Sequence, residues 1–325
     1  MVALERSIRK VVFVIFILST IQSWSQRGVK HEVAIAQQFG LGYAPLIVAQ
    51  ERGLIEKRMP TASVKWVQMG SGGAIRDGMA AGTIDIGSMG VPPFLIAWSK
   101  GIDVKVFFSI CEMPNRLQTN RADIKSLSDF KPGMKIAVPS PGSIQHILLS
   151  MGAERQLGNA RALDNQIVAM AHPDGVNALI NNVDIVGHFT SPPYLFKEIE
   201  KPNIHTILDG RDAFGGDYTF LVAIATRKFK EAQPELFKAV FDAFMEAKSW
   251  ILANPGEAAK LLEKPLGIPA SELYVQLTAQ GAVFTENPRG MIRFLDFMLQ
   301  AGYVKKTTKD VRDLIWETLD PSKAN

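Results

Sequence analysis

Two stretches follow one plan: Thr83-Ile84-Asp85-Ile86-Gly87-Ser88-Met89-Gly90-Val91-Pro92-Pro93-Phe94-Leu95 and Asn182-Val183-Asp184-Ile185-Val186-Gly187-His188-Phe189-Thr190-Ser191-Pro192-Pro193-Tyr194-Leu195. Each reads as a strand entered through Asp, a loop, and a helix opened by a proline pair, which the first turn of a helix tolerates. The spacing from strand to prolines differs by a single residue. A proline pair alone carries little weight. The joint match predicts two lobes built alike, with Ser88-Met89-Gly90 and Gly187-His188-Phe189 as equivalent loops facing each other across a cleft.

Outward from these stretches, short apolar runs alternate with helical patterns. Strands are predicted at 31–36, 64–69, 84–89 and 104–110, with helices at 43–54, 73–81 and 92–100. Strands separated by helices of about ten residues predict parallel βαβ units and an α/β fold. Residues 122–133 are polar and turn-rich and read as a crossing between lobes. A second series places strands at 135–138, 166–170, 183–187 and 204–208, and helices at 143–157, 174–181 and 192–200. The glycine-rich 209–217 reads as the return crossing, ahead of a strand at 219–226 and a helical tail. One lobe is thus expected to comprise 26–124 with 219–325, the other 125–218. In the tail, Phe237, Val240, Phe241, Phe244 and Met245 recur at helical spacing and read as core packing.

The 325 residues are 47% hydrophobic and 21% charged, a balance that builds a core. The net charge of +4 owes half its size to Arg6, Arg9 and Lys10 against Glu5. No nucleic-acid partner is therefore expected. That basic cluster precedes the unbroken apolar run 11–18, too short for the roughly 20 residues of a spanning helix. Ser23 and Ser25 then supply small residues before a cleavage site at Gln26. Residues 1–25 read as a secretory signal peptide, and no cysteine follows the run, so a soluble periplasmic protein is expected. The lone Cys111 excludes a disulfide framework and a cysteine zinc site.

Ligands of open α/β sheets sit beyond the carboxyl ends of strands, where loops lead into helix N-termini. Two such loops are built from small residues: Gly70, Ser71, Gly72 and Gly73, and Ser140, Pro141, Gly142 and Ser143. Small residues admit a ligand to the unpaired N–H groups of the helix start, each start giving an anion about 0.3–1 kcal/mol. One loop per lobe points to an oxyanion site. Phosphate-loop, nucleophile-elbow and zinc-protease motifs are missing, and Gly40-Leu41-Gly42 lacks the third glycine of a dinucleotide loop. Ser143 and His146 lie one turn apart, but no acidic orienter is visible, so they read as a cap and a structural histidine. His172 and His188 follow predicted strand ends and are expected to touch the ligand, with no metal role.

Tyr43-Ala44-Pro45-Leu46 with Ala49-Gln50-Glu51-Arg52-Gly53-Leu54 resembles the opening of periplasmic substrate-binding proteins of the nitrate, sulfonate and taurine ABC-transporter family. That group also takes in thiamine-pyrimidine-precursor binders. Residues 78–87 resemble its next hallmark, Pro141-Gly142-Ser143 with His146 and Leu148 a third, and 220–229 ahead of Pro234 its return to the C-terminal helices. The likeness covers about 31–255. It implies a two-lobed type II periplasmic binding fold with two hinge crossings, and ligand contacts on the loops at 37–43, 70–73, 88–90 and 142–143 and after Asp184. In that last segment many relatives carry an aromatic or aliphatic residue where this chain has His188, which favours a ligand that exchanges a hydrogen bond with imidazole.

The expectation is an exported receptor that closes around a small organic ligand, a sulfonate-type anion favoured, and delivers it to an ABC permease. It makes and breaks no bond, uses no cofactor and acts as a monomer. The expected ligand set is Gln37, Phe39, Tyr43, Gly70, Ser71, Gly72, Gly73, Ser88, Met89, Gly90, Ser140, Gly142, Ser143, His172, His188 and Phe189, with Tyr43, Met89 and Phe189 against the apolar part. Two other classes remain. One is a pyrimidine-precursor synthase-like enzyme using its own histidine and iron, against which the export signal argues. The other is a sensing domain for a partner protein.

Overall fold

The apolar runs pair into two five-stranded sheets. The computed structural model describes residues 31–324; the expected signal peptide, 1–25, lies outside the described residues. The chain runs β1 (His31–Gln37), α1 (Ala44–Glu51), α2 (Leu54–Arg58), β2 (Ala62–Gln68), α3 (Gly72–Ala80), β3 (Ile86–Gly90), α4 (Val91–Ser99) and β4 (Val104–Cys111). It then enters the second sheet as β5 (Arg116–Thr119), followed by β6 (Ile136–Val138), α5 (Ile144–Leu157), β7 (Ile167–Ala169), α6 (His172–Ile180), β8 (Gly187–Thr190), α7 (Tyr194–Ile199), β9 (His205–Asp209) and α8 (Gly210–Phe214). It returns as β10 (Leu221–Thr226) and ends in α9 (Arg227–Ala232), α10 (Pro234–Ala253), α11 (Pro255–Leu266), α12 (Ala270–Thr278) and α13 (Met291–Gln300).

The sheet orders are β2-β1-β3-β10-β4 and β7-β6-β8-β5-β9. In the first, β1 pairs parallel with β2 and β3, while β10 runs antiparallel between β3 and β4. In the second, β6 pairs parallel with β7 and β8, while β5 runs antiparallel between β8 and β9. The sheets are therefore mixed rather than purely parallel. In each, the odd strand is the one arriving from the other sheet, and it enters from the crossing side. β3 and β8 hold the same place in their sheets, so the correspondence between the two stretches is real.

Three expectations are corrected. Ser88–Met89–Gly90 and Gly187–His188–Phe189 are strand residues paired with β10 and β5, not loops. The strand β3 is buried on both faces, where alternation of hydrophobicity is unreadable, and Gly87 fits because a side chain there would strike Ile75 and Met79. The entry crossing is 112–115 rather than 122–133, because Arg116–Thr119 already hydrogen-bonds within the second sheet. The proline pair of the second stretch precedes α7 rather than opening it.

The crossings run side by side: Phe220 N–H donates to Cys111 O at 2.9 Å and Gly210 N–H to Asn115 O at 2.8 Å. One apolar core extends from the first lobe into the second, from Val33 and Phe94 to Ile147 and Phe189. On α10, Phe237, Val240 and Phe244 are buried against Phe107 and Phe108, the core role read from their spacing.

Candidate functional site

Five helix starts converge where the lobes meet. Tyr43 is the N-cap of α1, Gly72 opens α3, Gly90 is the N-cap of α4, Ser143 is the N-cap of α5 and His172 opens α6. All five line one cavity of about 20 Å³, together with Gln38, Phe39, Gln145, Pro93 and Phe220. This floor has no Asp, Glu, Lys or Arg in its lining, and besides the Tyr43 phenol its ionisable side chain is the His172 imidazole. Above it opens a cleft of about 510 Å³, walled on one side by Gln37, Phe39, Ile47 and Gln50 and on the other by Val176, Asn177, Tyr194 and Lys197. Phe39, 37% exposed, borders both spaces.

Glycine lets the lobes approach. A Cβ at Gly73 would lie 3.1 Å from Ser140 Oγ, and one at Gly70 3.6 Å from the Ala171 methyl. Leu41 N–H donates to Pro192 O of the other lobe at 3.1 Å. Three buried polar atoms near this junction lack a protein partner: Gln37 Oε1, Ser88 Oγ and Ser140 Oγ. Leaving such a group unsatisfied costs about 1–3 kcal/mol, which a bound ligand can offset.

The expected residues divide accordingly. Phe39, Tyr43, Gly72, Gly90, Ser143 and His172 meet on the floor, Gln37 lines the mouth, and Gly70, Gly73 and Ser140 face across the junction. Others turn inward. Ser71 Oγ is held by Ala74 N–H of its own helix, Gly142 N–H is held by His146 Nδ1 at 2.9 Å, and Met89 packs over Gly72 and Gly87. Phe189 is fully buried in the core, because alternation along β8 points it away from His188; it does not line the cleft. His188 also stands behind the floor, reaching it only through His172.

Burial holds the Tyr43 phenol well above its ordinary pKa, so it stays a neutral hydroxyl. Ser143 Oγ accepts from His146 N–H at 3.3 Å, and the His146 ring is turned to Gly142 and to Asp164 Oδ1 at 3.1 Å. An acidic orienter for His146 therefore exists, contrary to the sequence reading, but the imidazole does not address the serine hydroxyl. Among the described residues no group of three or more His, Cys, Asp and Glu is placed to hold a metal ion.

Sequence reasoning missed Gln38, Gln145 and, above all, Glu198. Glu198 is fully buried with Oε1 2.5 Å from His188 Nδ1. Its one signal is the four-residue spacing from Tyr194, which puts both on one helix face.

A family model described as the NMT1-like family matches residues 28–264. Over 234 residues the chain is 26% identical to the putative aliphatic sulfonates-binding protein of Escherichia coli, covering 70% of each chain. It is 27% identical over 217 residues to the taurine-binding periplasmic protein of the same organism, covering 65% of this chain and 64% of that one. The alkanesulfonate-binding protein of Xanthomonas axonopodis pv. citri, solved bound to MOPS, superposes with a TM-score of 0.71 at 18% identity, over 88% of this chain and 98% of that one. At that identity the likeness establishes the shared two-lobed periplasmic binding fold. With the family model spanning well over half its length, the chain belongs to the NMT1-like family.

Proposed function

We propose that this chain is a periplasmic solute receptor that closes around a small organic anion, a sulfonate-type head favoured, and hands it to an ABC permease. The observation that carries the reading is the convergence of five helix starts from two lobes on one uncharged floor. Oriented N–H groups, supplied most fully by α3 and α5 because prolines remove donors from the first turns of α1, α4 and α6, join neutral side-chain donors to bind an anion without the desolvation penalty of a buried cation. The head would face Gly72, Gly90, Ser143, Gln145 and His172, and the body would extend past Phe39 and Tyr194. The names of the sulfonate- and taurine-binding relatives support that ligand class.

The floor has room for about one water-sized group. A larger head enters only if the lobes rotate apart about 112–115 and 215–220, and its differential affinity for the closed form then shifts the population. The floor hydroxyl of Ser143 faces no base, and Ser191 Oγ, 3.4 Å from His172 Nε2, lies beyond the reach of about 2.6–3.2 Å that a nucleophile–base pair needs, which favours a receptor over an enzyme. The lobe division, with the first sheet and the C-terminal helices as one body and 116–214 as the other, belongs to the same proposal, as does action as a monomer.

Thermal unfolding of the chain from Gln26 onward against sulfonates, nitrate, bicarbonate, pyrimidines and aromatic carboxylates tests it. At a hundred times its dissociation constant a true ligand adds about 2.7 kcal/mol, a rise in midpoint of roughly 5 °C. The bound solute should be recovered unchanged. Turnover of any solute, or no shift across the panel in ligand-free protein, would count against the reading.

A further inference from the structure

Behind the floor three buried side chains form one line. Glu198 Oε1 lies 2.5 Å from His188 Nδ1, His188 Nε2 lies 3.0 Å from His172 Nδ1, and His172 Nε2 emerges at the floor, 3.4 Å from Ser191 Oγ. Glu198 and His188 have no solvent exposure. The helix α6 makes room for this line at Gly175, where a Cβ would fall 2.6 Å from His188 Nε2. A glycine inside a helix costs roughly 0.5–1 kcal/mol, so the passage is built at a local loss.

Nothing else charged meets the line. From α7 comes only the Glu198 carboxyl, with Tyr194 stacked on His172; from α6 comes His172, while Asp174 of that helix is exposed. On the sheet His188 is flanked by Gln118 of β5, whose amide is taken by Thr206, and by Ala137 of β6. From α5 comes the uncharged Gln145: its amide Nε2, bonded to Asn115 Oδ1 at 3.1 Å, lies 3.3 Å from His172 Nε2 and donates to that nitrogen when it is bare, while Ser191 Oγ, at 3.4 Å, is the acceptor beside it when it is protonated.

The direction of the hydrogen bonds follows from one proton. If the set holds one acidic proton, Glu198 O–H donates to His188 Nδ1, His188 Nε2–H donates to His172 Nδ1, and His172 presents Nε2–H to the floor. Moving that proton from Glu198 onto His188 leaves the two later bonds pointing the same way. Only its loss from the whole set reverses them, making His172 Nε2 a bare acceptor.

We propose that Glu198 and His188 are positioning residues that set the polarity of the cleft floor: the protonated relay makes His172 Nε2 a donor that selects lone-pair-rich groups such as an oxyanion, and the deprotonated relay makes it an acceptor that turns them away. The selection rests on the receptor reading above; the polarity belongs to the empty protein. Burial pushes the Glu198 carboxyl up to about 9 and the His188 imidazole down to about 3, and burial with the neighbouring His188 holds His172 well below its usual value. The donor form therefore spans the neutral range.

Nitrogen-15 NMR of the histidine-labelled, ligand-free protein tests the polarity. At pH 7 both His172 and His188 should show a protonated Nε2 and a bare Nδ1. Between pH 8 and 10 both should exchange to the opposite tautomer in the natural sequence. In Glu198→Gln the amide carries no titratable proton, so whichever tautomer it holds at pH 7 should persist to pH 10. Protonated Nδ1 at pH 7, or the same pH response in both proteins, would overturn the proposal. The wild-type spectrum needs no variant to fold. For a solute that binds, affinity should fall about tenfold per pH unit above the relay's titration, and stay within twofold in Glu198→Gln. Equal pH profiles would overturn the selection. A panel without a binder would defeat the receptor reading while the tautomers still decide the polarity.

Discussion

Stability should peak near neutral pH, and Glu198→Gln should remove the alkaline side of the peak. In the folded chain burial keeps Glu198 protonated to about 9 and the two imidazoles neutral. Unfolded, the carboxyl titrates near 4.3 and each imidazole near 6.5. A raised carboxyl contributes stability that is complete below about 4.3 and drains away as pH climbs toward 9. The lowered imidazoles contribute stability that is complete above about 6.5 and is lost as pH falls. Between pH 7 and 8.5 the folded relay holds one proton that the unfolded chain has released, so stability declines by about 1.4 kcal/mol per pH unit, or about 2 kcal/mol over that window. Glutamine carries no such proton, and its curve should fall by less than about 0.5 kcal/mol there. Burial also raises the Cys111 thiol and Tyr43, but both chains share those contributions, so their difference isolates Glu198. Urea unfolding midpoints at half-unit steps from pH 6 to 8.5, at unchanged m, supply the curves. If the two proteins decline in parallel above pH 7, Glu198 is ionised in the fold and the relay logic is wrong.

Three further predictions concern packing and the floor. Gly175→Ala should gain helix propensity yet lose about 1–3 kcal/mol net in thermal unfolding, because the methyl displaces His188 from His172; a stabilised variant would show that the imidazole can move freely. Ser143→Ala and Ser71→Ala should each cost about 1 kcal/mol as lost N-caps. Titration of a bound solute should then separate them, with affinity falling at least tenfold for Ser143→Ala and hardly at all for Ser71→Ala. Gly73→Ala should leave unfolding unchanged or slightly raised while weakening solute binding several-fold, since its methyl would sit against Ser140 across the lobes; unchanged affinity would mean the lobes need not approach this closely.

How much of this was legible depends on where each residue finds its partners. The loop-before-helix reading leads to Gly72, Ser143 and His172, which share one cavity in the fold, because a helix start is a local property, written in the small or capping residues beside it. β5 escaped notice for the opposite reason. Gln118 and Thr119 look like a turn, yet both are fully buried, their polar groups satisfied by Thr206 and by Val186 O, partners 88 and 67 residues away. Hydropathy counts such a strand as surface, and the crossing was consequently placed too late. Glu198 is the extreme case. A glutamate on a short helix reads as solvated, and its burial becomes tolerable only because β8 brings an imidazole within 2.5 Å and α6 leaves a glycine-wide passage for it. His172 was the visible end of that line, picked out by its place after a strand. The residues that determine whether it gives or takes a hydrogen bond lie 16 and 26 positions further on, and only the fold joins them. A floor lined by neutral groups can thus still be tuned by charge chemistry held one layer deeper, where the ligand never reaches.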